Sequence, residues 1–259
     1  MLLTEKIKEE LRDLQHNNKT PSNSNNHVGV EIEFYCNTTR EILAIEFYKE
    51  GLKDKIMVGT DNSVKNYPMG FFGHEVKVLD DEDNIFKTLQ HVCSILMRFD
   101  ARVNITCGLH VHLDMRNRDK NVVFHNLVKS QKILYKMNPK RRLVGEFSKL
   151  LDVNTLDKAM EKYPEAGGRQ DRYFGVNHHS LKRHNTLEVR IHAGMIDKDK
   201  IINWVKLLTH IANIKEISPE YKTTSGFFKK FTIPIGLQVY VTQRLELFKE
   251  GEDDLEESA

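Results

Sequence analysis

Four segments of the chain place apolar residues at alternate positions with charged or imidazole side chains between them. Val28, Val30, Ile32 and Phe34 alternate with Gly29, Glu31, Glu33 and Tyr35, and Val76 and Val78 alternate with Glu75 and Lys77. Leu109, Val111 and Leu113 alternate with Gly108, His110, His112 and Asp114, and Leu187, Val189 and Ile191 alternate with Thr186, Glu188, Arg190 and His192. A period of two predicts strands, each apolar on one side and charged on the other. KIMVGT (55–60) predicts a further strand that ends at the turn Asp61-Asn62-Ser63.

Between the strands the apolar period lengthens to that of a helix. A helix is expected through EILAIEFYKEGL after a cap at Thr38 or Thr39, and a second from Asp83 with a stripe of Phe86, Leu89, Val92, Cys93, Leu96 and Met97. A third is expected from about Val122 to Met137, stopped by Pro139, with Lys140, Arg141 and Arg142 following as a solvated basic end. Asp197 should cap a core helix containing Ile201, Trp204, Val205, Leu208 and Ile211, and residues 216–250 should add a helical element. The pattern divides the chain into an amphipathic helix and tether (1–26), one folded domain (27–250) and an acidic, disordered tail (251–259).

If the four strands pair in one antiparallel sheet with its apolar side under the helices, the other side gathers Glu31, Glu33, Glu75, His110, His112, Asp114 and Glu188. Solvated strand faces usually carry Thr, Ser and Lys, and acids are depleted in strands. So many carboxylates on one surface repel unless a cation lies among them, which points to a divalent metal site and to relief of repulsion when Glu31 or Glu33 becomes Gln. Oxygen ligands favour Mg or Mn, while Arg190 and Lys77 are residue types that meet phosphate oxygens. The Gly-rich stretch before the fourth strand, with Arg172, Tyr173 and Asn177, has the composition of an active-site loop.

Composition narrows the class without naming a partner. The chain has 259 residues, 39% hydrophobic and 29% charged, with a formal net charge of +2, as expected for a soluble globular protein. No apolar run approaches the roughly 20 residues that span a bilayer, and the N-terminus is charged throughout, so the expected location is cytoplasmic. Cys36, Cys93 and Cys107 have no CxxC spacing, which argues for packed thiols rather than a zinc knuckle. A metal-dependent hydrolase on the HxH pair is the rival enzyme reading, and a nucleic-acid binder using the basic loops ranks third, since those loops lack interleaved aromatics.

VGVEIEF (28–34), DNS (61–63), GHEVKV (73–78), CGLHVHLD (107–114), RYFGVN (172–177) and NTLEVRIHAG (185–194) occur in an order and spacing that resembles the amidoligases. These are carboxylate–amine ligases with a glutamine synthetase-like fold. The resemblance implies an α+β fold: an antiparallel sheet with helices packed on one face and a metal and ATP cleft on the other. It implies ATP-dependent amide formation through an acyl phosphate, with Mg or Mn held by Glu31, Glu33, Glu75, His110 and Glu188. By the same resemblance Arg190 stabilises the phosphoryl group in transfer, Asp61 orients or deprotonates the amine, and His192 binds metal or substrate or orients Glu188. His112, Lys77, Ser63, Arg172, Tyr173 and Asn177 are assigned to ATP or substrate. The implied partners are small-molecule, peptide or protein carboxylates and amines, with oligomerisation left open.

Overall fold

The computed structural model describes residues 26–164 and 173–249. The expected N-terminal helix and tether, Arg172 with the glycines before it, and the acidic tail lie outside the described residues. The strands are β1 (His27–Cys36), β2 (Ile56–Thr60), β3 (Phe72–Asp81), β4 (Gly108–Asp114), β5 (Val176–Asn177) and β6 (Thr186–Ala193). They form one antiparallel sheet in the order β2-β3-β1-β4-β6-β5. The described helices are α1 (Arg40–Lys49), α2 (Ile85–Arg98), α3 (Lys120–Lys136), α4 (Lys140–Val144), α5 (Leu156–Lys162), α6 (Ser180–His184), α7 (Lys198–Ala212), α8 (Thr224–Lys230) and α9 (Ile235–Leu247). The fold class is α+β, as expected.

The two periods in the sequence meet in one core. Val28, Val30, Ile32 and Phe34 of β1, Leu109, Val111 and Leu113 of β4, and Leu187 and Val189 of β6 are fully buried. They join Leu89, Val92, Cys93 and Leu96 of α2, Leu127 and Leu134 of α3, and Ile201, Trp204, Val205 and Leu208 of α7 in the same cluster. Burying each such side chain contributes about 1.5–3 kcal/mol, so the sheet is fixed by this side of its alternation. Asp197 caps α7 by accepting from the N–H groups of Asp199 and Lys200, and Asp119 caps α3 in the same way. The sequence pattern starts α2 at Asp83. The helix instead begins after Asn84, with Asp81 accepting from the N–H groups of both residues.

One irregularity matters for the site. Val111 pairs with Val189, but Leu109 pairs with His192, so Arg190 and Ile191 of β6 together oppose the single residue His110 of β4. This is a β-bulge, which shifts the alternation of the bulged strand by one residue. Beyond it, His192 turns to the core side with Leu109.

Candidate metal and substrate site

β1 lies between β3 and β4, so its two glutamates sit at the centre of the charged face. Glu31 is in register with Lys77 on one side and His110 on the other, Glu33 is opposite Glu75, and His112 is opposite Glu188. Glu31 accepts from Lys77 Nζ at 2.6 Å and lies 3.2 Å from His110 Nδ1. Lys77 also reaches Glu75, at 3.0 Å. Glu33 is anchored differently: its Oε2 accepts the Gly108 N–H at 2.6 Å, and its Oε1 lies 3.7 Å from His110 Nε2. Position 108 needs glycine for this approach, because a Cβ there would come within 2.8 Å of His110 Nε2.

At the β6 end, Arg190 Nη1 donates to Glu188 Oε1, and Asn177 Nδ2 donates to Oε2 at 2.7 Å. Arg190 Nε donates to the Phe147 carbonyl at 3.3 Å, and its guanidinium lies over the Tyr173 ring at 5.7 Å. His112 donates or accepts at Thr186 Oγ1 through Nδ1, 3.1 Å away. Its buried Nε2 has no hydrogen-bond partner among the described residues. That nitrogen stands 3.6 Å from Glu31 and 3.9 Å from Glu188, too far to hydrogen-bond and aimed between two carboxylates.

Electrostatics separates these acids. Burial alone would raise the Glu188 carboxyl, but Arg190, His112 and His110 outweigh it and hold it at about 2. Glu31 is likewise held well below the carboxylate range against its burial by His110, His112 and Lys77. Glu75 goes the other way: burial, followed by repulsion from Glu31 and Glu33, pushes it to about 7 despite Lys77. The Lys77 ammonium is stabilised in turn, its burial outweighed by Glu31 and Glu75. The repulsion expected from the sequence is therefore concentrated on Glu75.

Three sets of side chains offer ligand atoms within 4.8 Å of one another: Glu31 with His112 and Glu188, Glu31 with Glu75 and His110, and Glu33 with Asp61 and Glu75. They overlap through Glu31 and Glu75. Carboxylate oxygens, with one imidazole in each of the first two sets, suit a hard divalent cation, and the buried, unpartnered His112 nitrogen between two carboxylates is where a ligand would be directed.

The sheet thus brings together Glu31, Glu33, Glu75, His110, His112, Glu188, Arg190 and Lys77. The loop after β2 adds Asp61, whose Oδ1 accepts from the N–H and the hydroxyl of Ser63, both at 2.7 Å. Tyr173 lies beside Arg190, as described. Three placements differ from expectation. His192 is fully buried on the core side, its ring 4.8 Å from that of Trp204 and its Nδ1–H directed at the Ala193 carbonyl, because the bulge reverses the alternation. Asp114 shares the parity of His112, but its carboxylate is held by Arg116 and the His27 N–H at the far end of the strand. Asn177 belongs to the short strand β5 rather than to the loop before the fourth strand, and it braces Glu188.

The sequence pattern puts Arg142 in a solvated basic end. Its guanidinium instead donates to the carbonyls of Arg190 at 2.6 Å and Ile191 at 3.1 Å. Periodicity gives no sign of this, since the partners are backbone atoms almost fifty residues away. The Phe147 carbonyl that holds Arg190 is equally invisible in sequence.

The family described as "Putative amidoligase enzyme" matches residues 59–212. That stretch is more than half of the chain, which therefore belongs to the amidoligase family and to the ligase class of enzymes. Comparison with curated proteins found no match. The matched stretch contains Glu75, His110, Glu188 and Arg190, while Glu31 and Glu33 precede it and join the site through the pairing of β1 with β3 and β4. No helix among the described residues is long and apolar enough to cross a membrane.

Proposed function

We propose that the chain is an ATP- and Mg-dependent carboxylate–amine ligase with a glutamine synthetase-like fold, acting through an acyl phosphate. The observation that carries this reading is the set of three overlapping ligand groups, two of carboxylates with an imidazole and one of carboxylates alone, centred on one sheet face with the Arg190 guanidinium at its edge. Glu31, Glu33, Glu75, His110, His112 and Glu188 would hold the cations, which when bound neutralise phosphate oxygens and bring a nucleotide and an acid together.

The residues themselves account for the remaining steps. A substrate carboxylate oxygen attacks the γ-phosphorus and ADP leaves; Arg190, fixed by Glu188, Phe147 and Tyr173, presents a planar donor to the phosphoryl oxygens as charge shifts. The amine then attacks the activated carbonyl and inorganic phosphate leaves. Asp61, held in place by Ser63 beside Glu33 and Glu75, takes the proton that the amine gives up. The substrates are small-molecule, peptide or protein carboxylates and amines.

Calorimetry and product analysis test this reading. ATP should bind with Mg or Mn and not in EDTA; with acid and amine supplied, ADP and phosphate should appear in step with amide, and hydroxylamine should trap a hydroxamate. Equal ATP affinity with and without metal would overturn it. Amide cleavage without nucleotide would reassign the site to a metal hydrolase.

A further inference from the structure

We propose that Arg142 is a positioning residue for Arg190: it pins the β6 bulge that turns His192 away from the site and holds the backbone at Arg190 in place. The role of Arg190 in catalysis rests on the ligase reading; the pinning of the bulge does not. A bulge leaves backbone groups of the extra residue without ladder partners, and when buried these must be satisfied elsewhere. Here the two residues opposite His110 are Arg190 and Ile191, and the carbonyls of both are taken by the Arg142 guanidinium.

Arg142 does not act alone. Asn138 Oδ1 accepts the Ala193 N–H at 3.2 Å, and the Phe147 carbonyl accepts from Arg190 Nε. Ser148 Oγ donates to the Arg142 carbonyl at 2.6 Å, and the Tyr135 hydroxyl donates to the Ser148 carbonyl. Residues 138–148 therefore grip β6 from Arg190 to Ala193 through a chain of hydrogen bonds that begins on α3. On the other side of the bulge, the Arg190 N–H donates to the Gly175 carbonyl at 2.8 Å.

An arginine suits this position because its planar fork serves two adjacent carbonyls at once, which an ammonium cannot do. Burial lowers the Arg142 guanidinium to about 10, partly offset by Glu33, so it stays charged at neutral pH and adds a fixed cation behind the acidic face. Without the pin, regular alternation would carry Glu188, Arg190 and His192 on one side. The buried His192 imidazole would then leave Trp204, and the contacts that orient Arg190 would shift.

The test compares Arg142→Met and Arg142→Lys with wild type. In Arg142→Met, NMR should show loss of the His192–Trp204 ring contact and faster amide exchange at Arg190 and Ile191, with the α2 and α7 amides still protected. ATP turnover with Mg should fall by about 10²-fold, the scale of a small misplacement at the reacting centre, while Mg–ATP affinity changes by less than about threefold. Added to Arg190→Lys, the same substitution should cost little more, since both act on one group. Arg142→Lys should fall between Arg142→Met and wild type, and it serves the same comparison if Arg142→Met does not fold. An unchanged His192–Trp204 contact and unchanged exchange at Arg190 and Ile191 would overturn the pin whatever happens to turnover. A loosened bulge in a protein whose wild type shows no metal-dependent ATP binding would leave the pin standing and sink the ligase reading instead.

Discussion

Asn177 and Glu188 face each other across the β5–β6 pair, and the Asn177 amide donates to one oxygen of the Glu188 carboxylate while Arg190 donates to the other. Both oxygens are thus oriented by neighbours at the same time, which fixes the plane of the carboxylate before any ligand arrives.

That bracing gives the first prediction. Asn177→Ala removes the support without adding charge, and loss of such an orienting partner typically lowers metal affinity by about 10–100-fold. Asn177→Asp sets a second buried carboxylate against Glu188 and should also destabilise the metal-free protein, by about 1–3 kcal/mol. Mn titration and thermal melting in EDTA measure the two effects. Unchanged Mn affinity in Asn177→Ala would show that Glu188 does not need its brace.

Glu75 and Glu31 should respond in opposite directions when made neutral. Glu75 is raised to about 7 in the folded protein by burial and by Glu31 and Glu33, so between its unfolded value and pH 7 the native state binds the extra proton and stability falls as pH rises. Glu75→Gln should therefore melt higher than wild type in EDTA at pH 8, by at most about 3 kcal/mol, with the gain shrinking towards pH 5 and disappearing when Mg is added. Glu31 is held low by His110, His112 and Lys77, so Glu31→Gln should lower the melting temperature. This replaces the uniform relief of repulsion that the sequence pattern suggests for the acids of β1. A destabilised Glu75→Gln at pH 8 would contradict the assignment.

Arg190→Lys separates binding from turnover. The lysine keeps a positive charge near Glu188 but loses the two-pronged contact and the Phe147 anchor, so Mg–ATP affinity should persist within about threefold while turnover falls by 10²-fold or more, to order of magnitude. Calorimetry and ADP release measure the two quantities. Equal losses in both would make Arg190 a ground-state binding residue.

A further pH effect is expected from a buried histidine. His178 is buried, with Nε2 3.2 Å from the Tyr163 carbonyl and its ring against Phe124; burial, then His179, lowers it to about 4. The unfolded chain therefore binds a proton that the native state refuses, and stability is lost as pH falls from about 6.5 to about 4. His192 and His74 are lowered by burial in the same direction. His178→Asn should flatten the fall in melting temperature across this window; an identical slope in the variant would place the acid sensitivity elsewhere.

The sequence by itself determined every strand but the short β5, the face each glutamate occupies and the main helices that cover the opposite face, because side-chain alternation and helical period are local and the core rewards them directly. Glu31, Glu33, Glu75, His110, His112 and Glu188 were legible for that reason, and so was the capping of α7 by Asp197. The order of motifs also carried the family.

Only the tertiary structure decided which of those faces continue as one surface. Register between strands far apart in the chain placed Glu33 against Glu75 and His112 against Glu188, and the bulge opposite His110 removed His192 from a face that alternation had assigned to it. The binding of Arg142 to the β6 carbonyls, the bracing of Glu188 by Asn177 and the division of the acids into low and raised carboxyls belong to the same level. Each depends on distances between residues that local sequence does not connect, and backbone carbonyls, which leave no mark on residue identity, supply several of the partners.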